Sequence, residues 1–257
     1  GFFRWQLLAG EIFRTGTFSY YPPLNPADFE HYYYAEGFPP IVSFIYFWLY
    51  ALFGRPESLL HGIPAIVQYL LILWYGYRVA ERLFPNRTAG LMTLLLLGSS
   101  TLLFYSVMLT FETGLTALSL LALSYYLLRE ERPGKADLAL AAFATAIGAL
   151  TREYGGIFVF AGIVIGLWRR LSWRDLVWYL TICAPLIIPW YFRVWWLTGN
   201  PFYSYPVSSL FPVNPVHSGI MNGYRETIGV GSYFAWDRLG AVIPGLAYIL
   251  GLPVLLG

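Results

Sequence analysis

Charge is scarce in this sequence. Only 12% of its 257 residues are Asp, Glu, Lys or Arg, against roughly a quarter in soluble domains, and this excludes an ordinary water-soluble fold. Cysteine occurs once, as Cys183 inside an apolar run, so no intrachain disulfide can form and the redox compartment stays open. No phosphate-binding Gly-rich loop, dinucleotide fingerprint, His-Glu-x-x-His or cysteine pair is present, and no nucleotide cofactor is expected. Internal repeats and low-complexity stretches are also missing. The net charge of +2 carries no argument for nucleic acid, and no such partner is expected.

What is abundant is apolar and aromatic surface, 58% and 19% of the residues. Apolar runs cover 41–53, 59–77, 89–109, 113–128, 136–150, 155–168, 176–196 and 239–256. Several approach the ~20 residues that span a hydrocarbon core. The expected fold class is all-α, a polytopic transmembrane helical bundle, with membrane lipids as its solvent.

Three short connections are basic: Arg78, Arg82 and Arg87; Arg129, Arg132 and Lys135; Arg169, Arg170 and Arg174. The positive-inside rule puts all three on the cytoplasmic side. The connections around Glu112, around Arg152 and from Leu197 to Arg238 then face outward. Run 41–53 follows Pro39-Pro40, ends at Gly54-Arg55-Pro56 and breaks this parity if it spans. It reads as interfacial or re-entrant, the alternative being that it spans and leaves the amino-terminal segment in the cytoplasm. The chain divides into an external first segment 1–58, a membrane core 59–196, an external loop 197–238 and the start of a further helix over 239–257.

Glu112 is the most informative residue, an acid between two apolar runs. A carboxylate at membrane depth is costly, and is paired, solvated in a cavity or functional. Glu112 reads equally as a helix N-terminal acid complementing the dipole and as a base or metal ligand at an external site. Arg152 lies in the tight connection Thr151-Arg152-Glu153-Tyr154. It is either satisfied by Glu153 or offers its planar fork to a phosphate. Asp28, Glu30 and His31 could present ligands to a divalent metal, or form a solvated loop. Arg4, Arg193 and Arg225 are further outer-side cations, and snorkelling alone accounts for Arg193.

Four stretches resemble the GT-C class of multi-pass glycosyltransferases, which includes protein O-mannosyltransferases, aminoarabinose transferases and oligosaccharyltransferase catalytic subunits. Phe2-Phe3-Arg4-Trp5 through Gly16 resembles the amphipathic segment after that class's first acid. Gly37-Phe38-Pro39-Pro40 with the apolar helix to Phe53-Gly54 resembles its juxtamembrane helix. Leu109-Thr110-Phe111-Glu112-Thr113-Gly114 resembles its second acidic site. Ala149-Leu150-Thr151-Arg152-Glu153 and Thr198-Gly199-Asn200-Pro201-Phe202-Tyr203 resemble stretches of bacterial and archaeal members.

The resemblance implies sugar transfer from a polyprenyl-phosphate donor to a lipid, glycan or protein acceptor at the extracytoplasmic face of a bacterial or archaeal plasma membrane. It implies Glu112 as a catalytic acid, with Arg152, then Arg4 and Arg193, on the donor phosphate. Asp28, Glu30 and His31 stand as candidates for the acceptor or a divalent metal (Mg or Mn). The first catalytic acid is expected before Gly1, so the chain reads as a fragment lacking the first transmembrane helix and a C-terminal part. Gly114 stands where oligosaccharyltransferases carry a further acid, which favours a monosaccharide-transferring member. The rival readings are a lipid-linked-sugar transporter or flippase and a non-catalytic membrane scaffold.

Overall fold

A computed structural model describes residues 2–31, 37–56, 62–84, 86–128, 132–152, 155–203, 210–213, 215 and 218–219. The expected helix over 239–257, most of the loop 197–238, and the residues Arg129, Glu153 and Arg225 lie outside the described residues. So do the side chains of Phe2, Phe3, Arg4, Phe29, Leu109 and Thr110.

The described residues are helical, in the order α1 (Phe2–Thr15), α2 (Asp28–His31), α3 (Ile41–Phe53), α4 (Gly62–Leu83), α5 (Arg87–Ser99), α6 (Thr101–Tyr105), a π-helical turn (Ser106–Thr110), α7 (Glu112–Leu127), α8 (Lys135–Ala149), α9 (Gly156–Trp168) and α10 (Trp173–Thr198). Among the described residues two helices are long and apolar enough to cross a membrane, α4 with 22 residues and α10 with 26. At 1.5 Å per residue they reach about 33 and 39 Å, beyond a ~30 Å hydrocarbon core.

The run 89–109, expected as one continuous helix, is broken. Ser100 leaves helical geometry, its side chain accepts the Leu103 N–H as an N-cap, and the chain bends by 60° between Arg87–Ser99 and Thr101–Met108. Counted as one bent span, this pair makes a third crossing. The runs expected to span as α7, α8 and α9 are 16, 15 and 13 residues long. Their lengths of about 20–24 Å fall short of the core thickness. Arg78 and Arg82 also depart from the expected connection, because α4 continues through them to Leu83.

Packing follows from side-chain size. The buried face of α8 is built from Leu138, Ala141, Ala142, Thr145, Gly148 and Ala149, small enough for α7 and α10 to approach closely. Thr145 and the Tyr179 hydroxyl on α10 share a hydrogen bond of 2.6 Å within this layer. Gly162 of α9 leaves room for that same hydroxyl. The opposite face of α9 exposes Ile157, Phe160, Val164 and Leu167, a helical stripe left largely uncovered, as lipid-facing residues are.

The amino-terminal segment folds onto this bundle. Trp5, Leu8, Ala9 and Ile12 make the buried stripe of α1, and Val42, Tyr46 and Tyr50 make that of α3. The two helices pack together, while Trp48 and Leu52 of α3 face outward. α3 is only 13 residues long and stops at Gly54 with φ of 72°, which a side chain rarely adopts. Arg193 of α10 anchors the following loop by donating from Nη2 to the carbonyls of Phe18 (3.2 Å) and Tyr21 (3.0 Å).

Gly162→Leu should disrupt this packing, because even a Cβ at this position would overlap the Tyr179 hydroxyl. The expected cost is about 1–3 kcal/mol, read as a lowered Tm in detergent, whereas Phe160→Leu on the lipid-facing stripe should leave Tm unchanged.

Candidate active site

Glu112 opens α7 and is 2% exposed. It therefore complements the helix dipole, as one of its two readings expected, but that does not exhaust its contacts. The Trp5 indole Nε1–H donates to Glu112 Oε2 at 2.7 Å, a buried bond between residues 107 apart in sequence. Arg152 Nη2 lies 3.7 Å from Glu112 Oε1. The Arg152 side chain is 25% exposed, so one side of the guanidinium meets the carboxylate and the rest reaches the surface. Its carbon sits 4.7 Å from the centre of the Phe38 ring. Phe38 lies 6.1 Å from the Trp5 ring. The two motifs Phe2-Phe3-Arg4-Trp5 and Gly37-Phe38-Pro39-Pro40 thus meet on the pair Glu112–Arg152.

The backbone before Glu112 is unusual. The π-helical turn ends at Phe111, which has φ 49° and ψ −49°, a costly conformation for a bulky residue. π-turns and backbone strain of this kind concentrate at functional sites. Phe111 is 2% exposed and packs 5.6 Å from the Tyr46 ring. Its carbonyl accepts the Leu115 N–H at 2.9 Å and the Gln68 Nε2–H at 3.0 Å. Gln68 is itself 2% exposed.

Arg152 is held by its backbone. Its carbonyl accepts from the Gly155 N–H at 3.0 Å and from the Tyr191 hydroxyl at 3.2 Å, and that hydroxyl also reaches the Ala149 carbonyl at 2.7 Å. Gly155 folds against the Ala149 backbone where a Cβ has no room. Thr116 Oγ1 and Thr151 Oγ1 lie 3.3 Å apart and tie α7 to this turn. Tyr191 also lines an apolar groove of 440 Å³, with Ile187, Ile188, Phe192, Trp195, Pro201 and Phe211.

The other sequence candidates lie in different surroundings. Arg193 serves the Phe18 and Tyr21 carbonyls, rather than simply snorkelling. Arg4 is in the first turn of α1, its side chain outside the described residues. Asp28 Oδ2 accepts the Leu24 and Asn25 N–H groups at 2.8 and 2.9 Å, which ties down its own loop. His31 Nδ1 lies 3.0 Å from Glu11 Oε1, and its ring stacks on Tyr20. Arg14, hydrogen-bonded to Glu11, holds that carboxyl below its ordinary value; burial opposes this and His31 adds to it. Glu30 is exposed. No three His, Cys, Asp or Glu side chains gather to hold a metal among the described residues.

Trp5, Phe38, Gln68 and Tyr191 were not singled out as site residues from the sequence. For Gln68 a signal existed, a lone amide inside the apolar run 59–77. The expected alternative partner of Arg152, Glu153, lies outside the described residues.

A family model described as dolichyl-phosphate-mannose-protein mannosyltransferase matches residues 38–196, more than half of the chain. The match contains Phe38, Gln68, Phe111, Glu112 and Arg152. No curated protein and no solved structure matches the chain.

Removing the donor or the cation should have graded effects. Trp5→Phe takes one hydrogen bond from a buried carboxylate and should cost about 1–3 kcal/mol. Arg152→Ala removes the counter-charge and should cost more, up to about 3–5 kcal/mol less the share that its exposed side loses to solvent screening. Thermal denaturation of the detergent-solubilised variants ranks the two.

Proposed function

The chain belongs to the dolichyl-phosphate-mannose-protein mannosyltransferase family, and from that premise we propose that it transfers a sugar from a polyprenyl-phosphate donor to an acceptor hydroxyl at the extracytoplasmic face of the membrane. The observation that carries this reading is the junction of Trp5, Glu112 and Arg152, where a buried acid meets a part-exposed cation. In the proposed reaction the acceptor oxygen bonds to the anomeric carbon. The bond from that carbon to the phosphate oxygen breaks, and polyprenyl phosphate leaves with the electron pair.

Arg152 receives the donor phosphate. Its pairing with Glu112 at 3.7 Å is longer than a hydrogen bond, and a phosphate offers the fork a better partner. As Arg152 turns to the phosphate, Glu112 Oε1 faces the acceptor hydroxyl. It then takes the proton from the acceptor hydroxyl. Trp5 keeps Oε2 fixed throughout. The groove beside Tyr191 suits the isoprenoid chain, since the residues lining it are almost wholly apolar and one of them also holds the Arg152 carbonyl.

Glu112→Gln preserves size and an acceptor for Trp5 but removes the charge and the base. In membranes containing the full-length protein, with a polyprenyl-phosphate sugar as donor, it should lower transfer by roughly 10²-fold or more while expression and insertion persist. Arg152→Lys should raise the KM for the donor, because a point charge replaces a planar fork. Full activity in Glu112→Gln would remove this residue from the mechanism.

A further inference from the structure

The strained turn ahead of Glu112 needs something to hold it. Phe111 has positive φ although it carries a large side chain. Such a conformation persists only where its surroundings over-determine it. α7 supplies one hydrogen bond to its carbonyl, from Leu115. The second comes from across the bundle, from Gln68 on α4. The amide orientation is set by this contact, because only its NH₂ can donate to a carbonyl. Gln68 Oε1 has no hydrogen-bond partner among the described residues. A buried amide retained at that cost in an apolar helix calls for a compensating role.

Gly114 fits the same account. A Cβ there would lie 2.8 Å from Gln68 Oε1 and 2.8 Å from Val107 Cγ2. The missing side chain lets the amide reach past α7 to Phe111. Glu112 follows Phe111 directly, so the direction of its carboxylate toward Trp5 and Arg152 depends on the Phe111 torsions.

We propose that Gln68 is a positioning residue, which clamps the Phe111 carbonyl and so aims the Glu112 carboxylate at Trp5 and Arg152. The proposal rests on the reading of Glu112 as the reacting acid. The amide touches neither donor nor acceptor and acts only through the turn.

The test uses the full-length protein in lipid nanodiscs and two substitutions of similar length. Gln68→Met has no donor at any pH. Gln68→Glu can donate an O–H to the Phe111 carbonyl only while protonated, and burial raises the pH range over which it stays so. Gln68→Met should lower kcat roughly ten- to hundredfold, with the donor KM within about twofold of the parent, since the phosphate contact is separate. Gln68→Glu should approach the parent kcat near pH 6 and fall toward Gln68→Met as pH rises to 9. The sign follows because the useful form is the protonated one. A purely space-filling role predicts that Gln68→Met, of similar length and volume, keeps the parent kcat.

Parent-like kcat in folded Gln68→Met overturns the proposal, as does a pH-independent ratio for Gln68→Glu. If Gln68→Met fails to fold, the pH profile of Gln68→Glu decides alone. If the parent protein transfers no sugar, the reading of Glu112 as reacting acid fails separately. The clamp is then judged by Tm: Gln68→Glu should lose stability relative to the parent as pH rises, and a constant difference sinks it.

Discussion

The ends of α7, α8 and α9 meet around one buried carboxylate. Glu112 is almost wholly removed from solvent at a depth where an isolated charge is very expensive. Its two oxygens are met from opposite directions, one by the indole of Trp5 and the other by the guanidinium of Arg152. Trp5 can reach it only if α1 lies over the bundle, and α1 stays there through its apolar stripe on α3. Phe38, at the entrance to α3, covers both partners. The first segment is thus part of the site, because the acid inside the bundle completes its coordination with residues outside it.

Helix length gives the site its place. α7 begins at Glu112, α8 ends at Ala149 just before Arg152, and α9 begins at Gly156 just after it. These three helices fall short of a bilayer core, and their outer ends converge on the same junction. The long helices α4 and α10 pass beside them, α4 supplying Gln68 and α10 supplying Tyr191. The bend at Ser100 and the π-helical turn lead to the strained residue Phe111, from which α7 starts.

The sequence revealed much of the scaffold and little of the junction. Apolar runs located α3 and α7–α10 to within a few residues, and the isolation of Glu112 between two of them marked it as costly. Local grammar missed the continuation of α4 through Arg78 and Arg82, because arginines at a helix end and arginines in a connection look alike in a charge count. It missed the break at Ser100, since a serine among leucines caps a helix only where tertiary packing allows the bend. The pairing of Arg152 was the largest omission. Neighbouring Glu153 was the natural candidate, whereas the contact observed runs to an acid forty positions away. Trp5 was invisible as a ligand because nothing in a sequence brings it across the intervening chain.

Arg193 and Arg152 differ in how their guanidinium groups are held. Arg193 spends Nη2 on two backbone carbonyls at ordinary hydrogen-bond distances, and its carbon lies 5.5 Å from the Phe18 ring centre. Moving it would leave the Phe18 and Tyr21 carbonyls without those donors and loosen the loop after α1. Arg152 is fixed by its main chain, through Gly155 and Tyr191, so its side chain can turn without moving the helix ends. Its link to Glu112 is electrostatic rather than a close hydrogen bond, and a quarter of the side chain is exposed. An incoming phosphodiester would compete with one carboxylate for a part-exposed guanidinium. On the proposed reading, donor capture and release of the Glu112 carboxylate would be one movement, which a close, fully bonded ion pair would oppose.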